Sequence, residues 1–365
     1  MICIVSSSHF PDDERIYQRQ IKSLVRNNKK VLYLTRSGSK INLSNKFIIH
    51  KNFNVSFSEF LIRVKNLILS DNKLKYLQIH ETNLLPLFKF TKRKKTPLNT
   101  IYDVHEDMES IYRTFSRRSL LIKEIAVFFR KKKEDYYLKY VDLIILANQI
   151  IENDAYHNKK NKKIIIENFP DKKFIRSNPN KISRNPMIIY HGHLAPERGI
   201  TDLVLAIKEV AVKIPQVKLV LLGSFRIANY KKSINSLIKI HSLENHIIIK
   251  EQIPHEEVWD VLRNSSIGVI PFRENPLTKI NTPTKLFEMM ASGLSIVATD
   301  LPPIRNFIDD TVFWAKPSSP TSLAINILKS INNGDVNFKI EKNLKMINEK
   351  YNWERIESRY LSIFN

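Results

Sequence analysis

Residues 281–299, Asn281-Thr282-Pro283-Thr284-Lys285-Leu286-Phe287-Glu288-Met289-Met290-Ala291-Ser292-Gly293-Leu294-Ser295-Ile296-Val297-Ala298-Thr299, decide the fold class. Thr282 suits a helix N-cap and Pro283 the first helical position. Residues 284–291 then carry a helix, Gly293 ends it, and 295–298 resume as an apolar strand. The helix start offers free backbone N–H groups and a positive dipole end. Lys285 stands in the first turn, where the dipole disfavours a cation, so an anionic ligand is expected there. Glu288, three residues on and on the same face, needs something that donates hydrogen bonds. Phosphates at the helix start and a ribose diol at the carboxylate satisfy both. An ordinary capped helix with a surface Lys–Glu pair satisfies them equally.

The same alternation extends in both directions. Toward the N-terminus of this half, strands are expected at 187–190, 217–222, 247–249 and 267–270, with helices at 200–214, 231–240 and 256–262 between them. The first half reads the same way: strands at 2–5, 31–35, 76–80, 100–104 and 143–147, with helices at 14–27 and 57–69. Strands alternating with helices argue for parallel sheets covered on both faces. Residues 171–186, DKKFIRSNPNKISRNP, have no period and read as a joint. The expected organisation is a Rossmann-like domain over 1–172, a linker over 173–186, a second such domain over 187–345, and a tail over 346–365. Two βα domains in tandem imply a cleft facing the carboxyl ends of both sheets.

The composition fits two domains: 365 residues, 43% hydrophobic and 26% charged, with 10% aromatics arguing against disorder. Cys3 is the sole cysteine, which excludes an internal disulfide framework and a cysteine metal cluster. No stretch approaches the roughly 20 apolar residues of a membrane span. The opening apolar run lacks a basic segment before it, so a mature cytoplasmic start is expected. The net charge is +23, and residues 1–180 carry most of it, with 35 Lys/Arg against 18 Asp/Glu. An anionic partner is expected for that half. Residues 89–95 (KFTKRKK) and the helical stretch 117–139 are strongly basic, and the latter mixes its cations with Leu120, Leu121, Ile125, Phe128, Phe129, Tyr136 and Tyr137. That mixture suits an anionic membrane surface. A solvated basic face and a nucleic-acid partner are the competing readings; no recognition helix or zinc module supports the latter, and no nucleic-acid partner is expected.

The string Pro283, Lys285, Glu288, Met290, Ala291, Gly293 resembles the nucleotide-sugar signature of the retaining GT-B glycosyltransferases of family 4. The resemblance implies a GT-B fold, with two Rossmann-like domains across a cleft and a final helix crossing back to the first. It implies that Glu288 holds the donor ribose. Residues 189–199 resemble the family's strand-to-helix loop, with Gly192 and His193 in it and Arg198 placed to contact the donor diphosphate. Gly223 matches a turn under the nucleotide, and Gln252 lies in the segment bordering the base. Asn281, Thr282, Pro283, Thr284 and Lys285 complete the donor side.

In the first half, His9, Asp13 and Arg15 lie in a string similar to the family's opening loop, where Asp13 also suits a helix cap. His105 and Glu106 lie in a string similar to its Y-D-x-H-E strand end, and the resemblance places His105 near the donor sugar. His80 is expected with His9, Asp13, Arg15 and Glu106 on the acceptor side. The catalytic set implied is His105, Arg198 and Lys285, with no metal and no cofactor. One departure stands out. The family's second glutamate falls at Ile280, so its sugar contact must come from elsewhere, with Glu274 or amides near Asn281 as candidates. The expected activity is transfer of a sugar from a nucleotide diphosphate donor to a lipid-linked surface glycan, on the inner face of a cytoplasmic membrane. A nucleotide-sugar epimerase or hydrolase, or a basic nucleic-acid-binding protein, are the alternatives.

Overall fold

The computed structural model describes residues 1–39, 41–91, 96–151, 155–178 and 186–365. Residues 179–185 of the expected linker and 92–95 of the first basic stretch lie outside the described residues. The chain forms two compact units, one of Met1–Asn168 with Arg355–Asn365, the other of Phe169–Glu354.

The first unit is built on strands β1 (Ile2–Ser6), β2 (Val31–Thr35), β3 (Ile48–Asn52), β4 (Tyr76–Ile79), β5 (Asn99–Val104), β6 (Leu143–Leu146) and β7 (Lys162–Ile165), in the order β3-β2-β1-β4-β5-β6-β7. The second holds β8 (Met187–His191), β9 (Lys218–Leu222), β10 (Ile247–Lys250), β11 (Ile267–Ile270), β12 (Ser295–Thr299) and β13 (Val312–Ala315), in the order β10-β9-β8-β11-β12-β13. Every pairing is parallel. The chain order reverses beside β1 and beside β8, and in such sheets the crevice at the carboxyl end of the reversal is where ligands bind. Central strands such as ICIVS and VLYLT are buried throughout, as helices on both faces require. The edge strand IIHKN instead alternates buried and exposed.

The opening helix differs from the single helix expected over 14–27. Glu14–Ile21 winds as a π-helix and Lys22–Arg26 continues as α. Asp13 caps it, its Oδ1 accepting from the N–H groups of Arg15 and Ile16 at 2.9 Å each. The wider turn buries Arg15, Arg19 and Gln20 together. At the other end of the chain, helix Trp353–Leu361 leads into a 3-10 turn, Ser362–Phe364. From Arg355 onward this tail belongs to the first unit, as Glu357 pairing with Arg26 (2.6 Å) and Arg359 donating to the Ile165 carbonyl (3.1 Å) make plain.

The helix Thr284–Ala291 sits on an aromatic cluster of the second unit. Phe287 packs edge-on against Phe169 and Phe307, with ring centroids 4.7 and 5.0 Å apart, and Tyr351 adds a further face at 5.7 Å. Phe287 is buried. Its truncation leaves a cavity that such a tightly interlocked set cannot close. Phe287→Ala is therefore expected to cost about 3–5 kcal/mol, read as a lowered denaturant midpoint at unchanged slope; a midpoint like the wild type's would refute the packing account.

Candidate active site

In the second unit the loops after β8 and β9 are locked together at the carboxyl end of the sheet. Gly192 N–H donates to Leu222 O at 2.9 Å and Leu194 N–H to Ser224 O at 3.0 Å. The close approach leaves no room for side chains. Gly223 has φ 147°, and a Cβ on it would stand 2.0 Å from the Gly192 carbonyl oxygen. Gly199, which leads from the turn Pro196–Arg198 into helix Ile200–Lys213, has φ 71°, and a Cβ there would stand 1.7 Å from the Pro271 carbonyl. These two glycines are fixed by sterics.

The cations the sequence singled out meet on this platform. The Arg198 guanidinium lies 4.7 Å from the centroid of the Phe272 ring, and Lys285 Nζ lies 4.8 Å from it and 5.4 Å from that of Tyr190. Gly192 is called for by its φ of 107°, and Lys285 Nζ lies 3.4 Å from where a Cβ would stand, an ordinary contact. Neither cation has an ion pair among the described residues. Burial, and then the charge of Arg198, push the Lys285 amine down to about 7, with Glu288 opposing. His193 is exposed at the same mouth; desolvation and the charges of Arg226, Arg198 and Lys285 lower its imidazole to about 4.

The surface pair between Lys285 and Glu288 does not form. Glu288 Oε1 instead accepts from His255 Nε2 at 2.8 Å, and its Oε2 lies 3.4 Å from His191 Nε2 without hydrogen-bond geometry. Burial alone would raise this carboxyl; the His255 bond, then His191 and Lys285, pull it down to about 2. His191 is buried and lowered to about 4. Glu288 is thus a fixed carboxylate.

The helix start also differs from expectation. Thr282 is not the cap. The helix begins at Thr284, Pro283 holds the cap position in an extended conformation, and no side chain caps the first turn. A proline leaves Thr282 one residue too far out to reach those N–H groups. Thr282 Oγ1 and both amide atoms of Asn281 are buried without a partner. Orphaned polar atoms of this kind cost on the order of 1–3 kcal/mol each unless something supplies the bonds. Glu274, a candidate for the sugar-binding role that Ile280 is unable to fill, pairs instead with Lys279 at 2.6 Å on the surface. Gln252 is exposed and its Oε1 accepts from Ser224 Oγ at 3.4 Å.

The first unit gathers its titratable groups at the carboxyl ends of β1, β4 and β5. Glu81 is a clamp on the opening loop: it accepts from Ser6 Oγ (2.7 Å), the N–H groups of Ser7 and Ser8 (3.0 Å each) and His9 Nδ1 (2.9 Å). Burial opposes charge on His9, but Glu81 raises its imidazole overall. The His9 ring lies 4.7 Å from that of His105. His105 Nε2 lies 2.8 Å from His80 Nδ1, and burial holds both rings neutral, His80 at about 4. Glu106 is exposed beside them.

Arg15 does not reach the surface expected of it. Its guanidinium is buried on Asp103, with Nη2 to Oδ1 at 2.8 Å, and it donates to the Ile166 carbonyl at 2.7 Å. Asp13 is occupied by its cap. His80 is buried, with both ring nitrogens engaged. His80, Asp103 and His105 bring possible ligand atoms within 4.8 Å of one another. The Asp103 charge, however, already balances Arg15, so a cation here would meet a buried guanidinium uncompensated. Sequence reading missed Asp103, Gln20 and Gln78 here, and His191 and His255 in the second unit. Asp103 lay within the Y-D-x-H-E string and His191 within the 189–199 loop; Gln20, Gln78 and His255 carried no local signal.

Residues 171–353 match the family model "Glycosyl transferases group 1". An uncharacterized glycosyltransferase of Methanocaldococcus jannaschii is 26% identical over 229 residues, 61% of this chain and 60% of that one, so the match spans less than two thirds of the relative. Among solved structures, sucrose-phosphate synthase of Thermosynechococcus elongatus superposes with a TM-score of 0.79 at 17% identity, covering 100% of this chain and 98% of that one. HepE of Anabaena, solved with UDP, gives 0.74 at 14% identity, covering 100% and 99%. With its two parallel-sheet units of GT-B type and the signature helix inside the matched span, the chain belongs to the group 1 glycosyltransferases.

Proposed function

We propose that this chain is a retaining, metal-independent glycosyltransferase of family 4 that moves a sugar from a nucleotide diphosphate donor to a lipid-linked acceptor at an anionic membrane surface. The observation that carries the donor side is the pair Lys285 and Arg198, two cations without an acid partner beside an uncapped helix start. A pyrophosphate supplies the missing counter-charge and the acceptors that Thr282 and Asn281 lack. As the glycosidic bond lengthens, negative charge grows on the leaving diphosphate, and preorganised cations stabilise that charge more than the ground state. They do the work a metal would otherwise do. Glu288, held by His255, accepts from the ribose hydroxyls, and His105 positions the sugar. HepE of Anabaena has been solved with UDP and with UDP-glucose, which supports a nucleotide-sugar donor. Retention follows from family resemblance, with attack on the face the leaving group departs from.

The membrane reading rests on helix Leu120–Leu138. Leu120 and Leu121 are 76% and 72% exposed, Ile125 50%, Phe128 56% and Phe129 66%, and among its residues only Val127 and Leu138 are buried. Lys131, Lys132 and Lys133 are exposed on the same helix, while Lys123 donates to the Arg113 carbonyl at 3.0 Å and Arg130 lies 4.5 Å from the Tyr112 ring centroid. No described helix is long and apolar enough to cross a membrane. A helix lying in the interface, apolar residues dipping among the acyl chains and cations on anionic headgroups, uses both sets.

Two outcomes test these sides separately. Bound diphosphate favours protonated Lys285, and in the free protein that proton is lost as the pH rises through about 7. Affinity for the tightest of UDP, GDP, CDP and dTDP should therefore fall, approaching roughly tenfold per pH unit between about 7 and 9, with proton uptake seen by calorimetry. Lys285→Met should flatten the profile, and Glu288→Ala should weaken binding by roughly ten- to a hundredfold; a pH-independent wild type would remove the diphosphate role. On the acceptor side, the protein should co-sediment with vesicles containing phosphatidylglycerol more than with neutral ones. Phe128→Ser with Phe129→Ser should abolish that without changing nucleotide affinity. Equal sedimentation of variant and wild type would end the membrane reading.

A further inference from the structure

The protons of the buried network around His105 can be placed by accounting alone, starting from the one group that cannot donate. Asp103 is a carboxylate against Arg15, so Gln20, 2.5 Å away, must turn its amide nitrogen toward it. The Gln20 oxygen then faces Gln78 and accepts from its Nε2 at 2.7 Å. That leaves the Gln78 oxygen to accept from the hydroxyl of Tyr360, on the C-terminal helix, at 3.0 Å. The Gln78 nitrogen also lies 3.1 Å from His80 Nε2. An amide nitrogen only donates, so His80 Nε2 must be the bare nitrogen and the His80 proton must sit on Nδ1. That proton points at His105 Nε2, 2.8 Å away, with Asp103 Oδ2 more distant at 3.5 Å. His105 Nε2 is therefore an acceptor, and its own proton is on Nδ1.

We propose that Gln78, held between Gln20 and Tyr360, is a positioning residue that fixes the tautomers of His80 and His105, so that His105 meets its ligand as an Nδ1–H donor and not as a base. This rests on the glycosyl-transfer reading above and narrows it: the group His105 serves is an acceptor, a sugar hydroxyl or ring oxygen. Each member of the chain is buried except His105, whose side chain is 15% exposed. The order therefore runs from the interior outward to one open donor. It also gives the returning C-terminal helix a task beyond packing, because Tyr360 satisfies the Gln78 oxygen and so resists reversal of that amide.

The experiment is long-range proton–nitrogen NMR of the full chain labelled with 15N-histidine, with His80→Asn and His105→Asn spectra assigning the two rings. In the wild type both rings are expected neutral, protonated on Nδ1 and unchanged between about pH 6 and 8, where an ordinary histidine titrates. Gln78→Met keeps the volume and removes the donor. It should leave His80 and His105 in mixed tautomers and lower kcat/KM for sugar transfer roughly ten- to a hundredfold, the cost of misplaced hydrogen bonding. Tyr360→Phe, with Gln20 still holding Gln78, should give a smaller loss. A wild-type His105 protonated on Nε2, or a Gln78→Met protein whose rings both keep their Nδ1 protons, would overturn the proposal whatever its activity. The spectra read the tautomers directly, so absence of sugar transfer in the wild type would count against the functional reading and not against this one.

Discussion

A half-buried lysine amine with no ion pair among the described residues, set against aromatic rings and beside an arginine, is the constraint on which the second unit's arrangement depends. Lys285 lies against the Phe272 and Tyr190 rings and over Gly192, in the company of Arg198. Desolvating one cation next to another is unfavourable, and aromatic faces return only part of that cost. The nearby Glu288 carboxylate offsets it only in part, and it also accepts from His255. The fold therefore holds positive charge in reserve at a helix start, along with polar atoms at Asn281 and Thr282 that have nothing to bond. An anion there would supply the counter-charge and accept from Thr282 Oγ1 and Asn281 Nδ2, which is the basis of the proposed diphosphate role.

The first unit is arranged on the opposite principle. Its buried charges are closed off: Arg15 on Asp103, Glu81 under four donors from the opening loop. Beside them His105 stays neutral by burial, and the proposed tautomer order would set its hydrogen-bonding sense from within.

Much of this was legible in the chain. The helix Thr284–Ala291 falls where its apolar spacing puts it, because Leu286, Phe287, Met289 and Met290 must all be buried. Central strands were readable as unbroken apolar runs. The two edge strands of the first sheet were not: IIHKN in β3 and KKII in β7 carry lysines that an edge tolerates and a periodicity search reads as loop. The helices Pro320–Asn332 and Val336–Glu349 also went unread. At the site, Thr282 looked like a cap because threonine before Pro-Thr usually is one, and only the extended Pro283 shows otherwise. Local strings found Arg15 and His105 but gave Arg15 a surface role, since its partner Asp103 lies 88 residues away. The His255–Glu288 and Tyr360–Gln78 bonds span 33 and 282 residues, and nothing in either neighbourhood announces them.

The most direct measurement is the titration of Lys285 itself, followed by 13C NMR of the lysine ε-carbon with Lys285→Arg for assignment. The account predicts a midpoint near 7 in the free protein, moved upward by about two units or more when a nucleoside diphosphate is bound. A midpoint near 10.5, the same with and without the nucleotide, would contradict it.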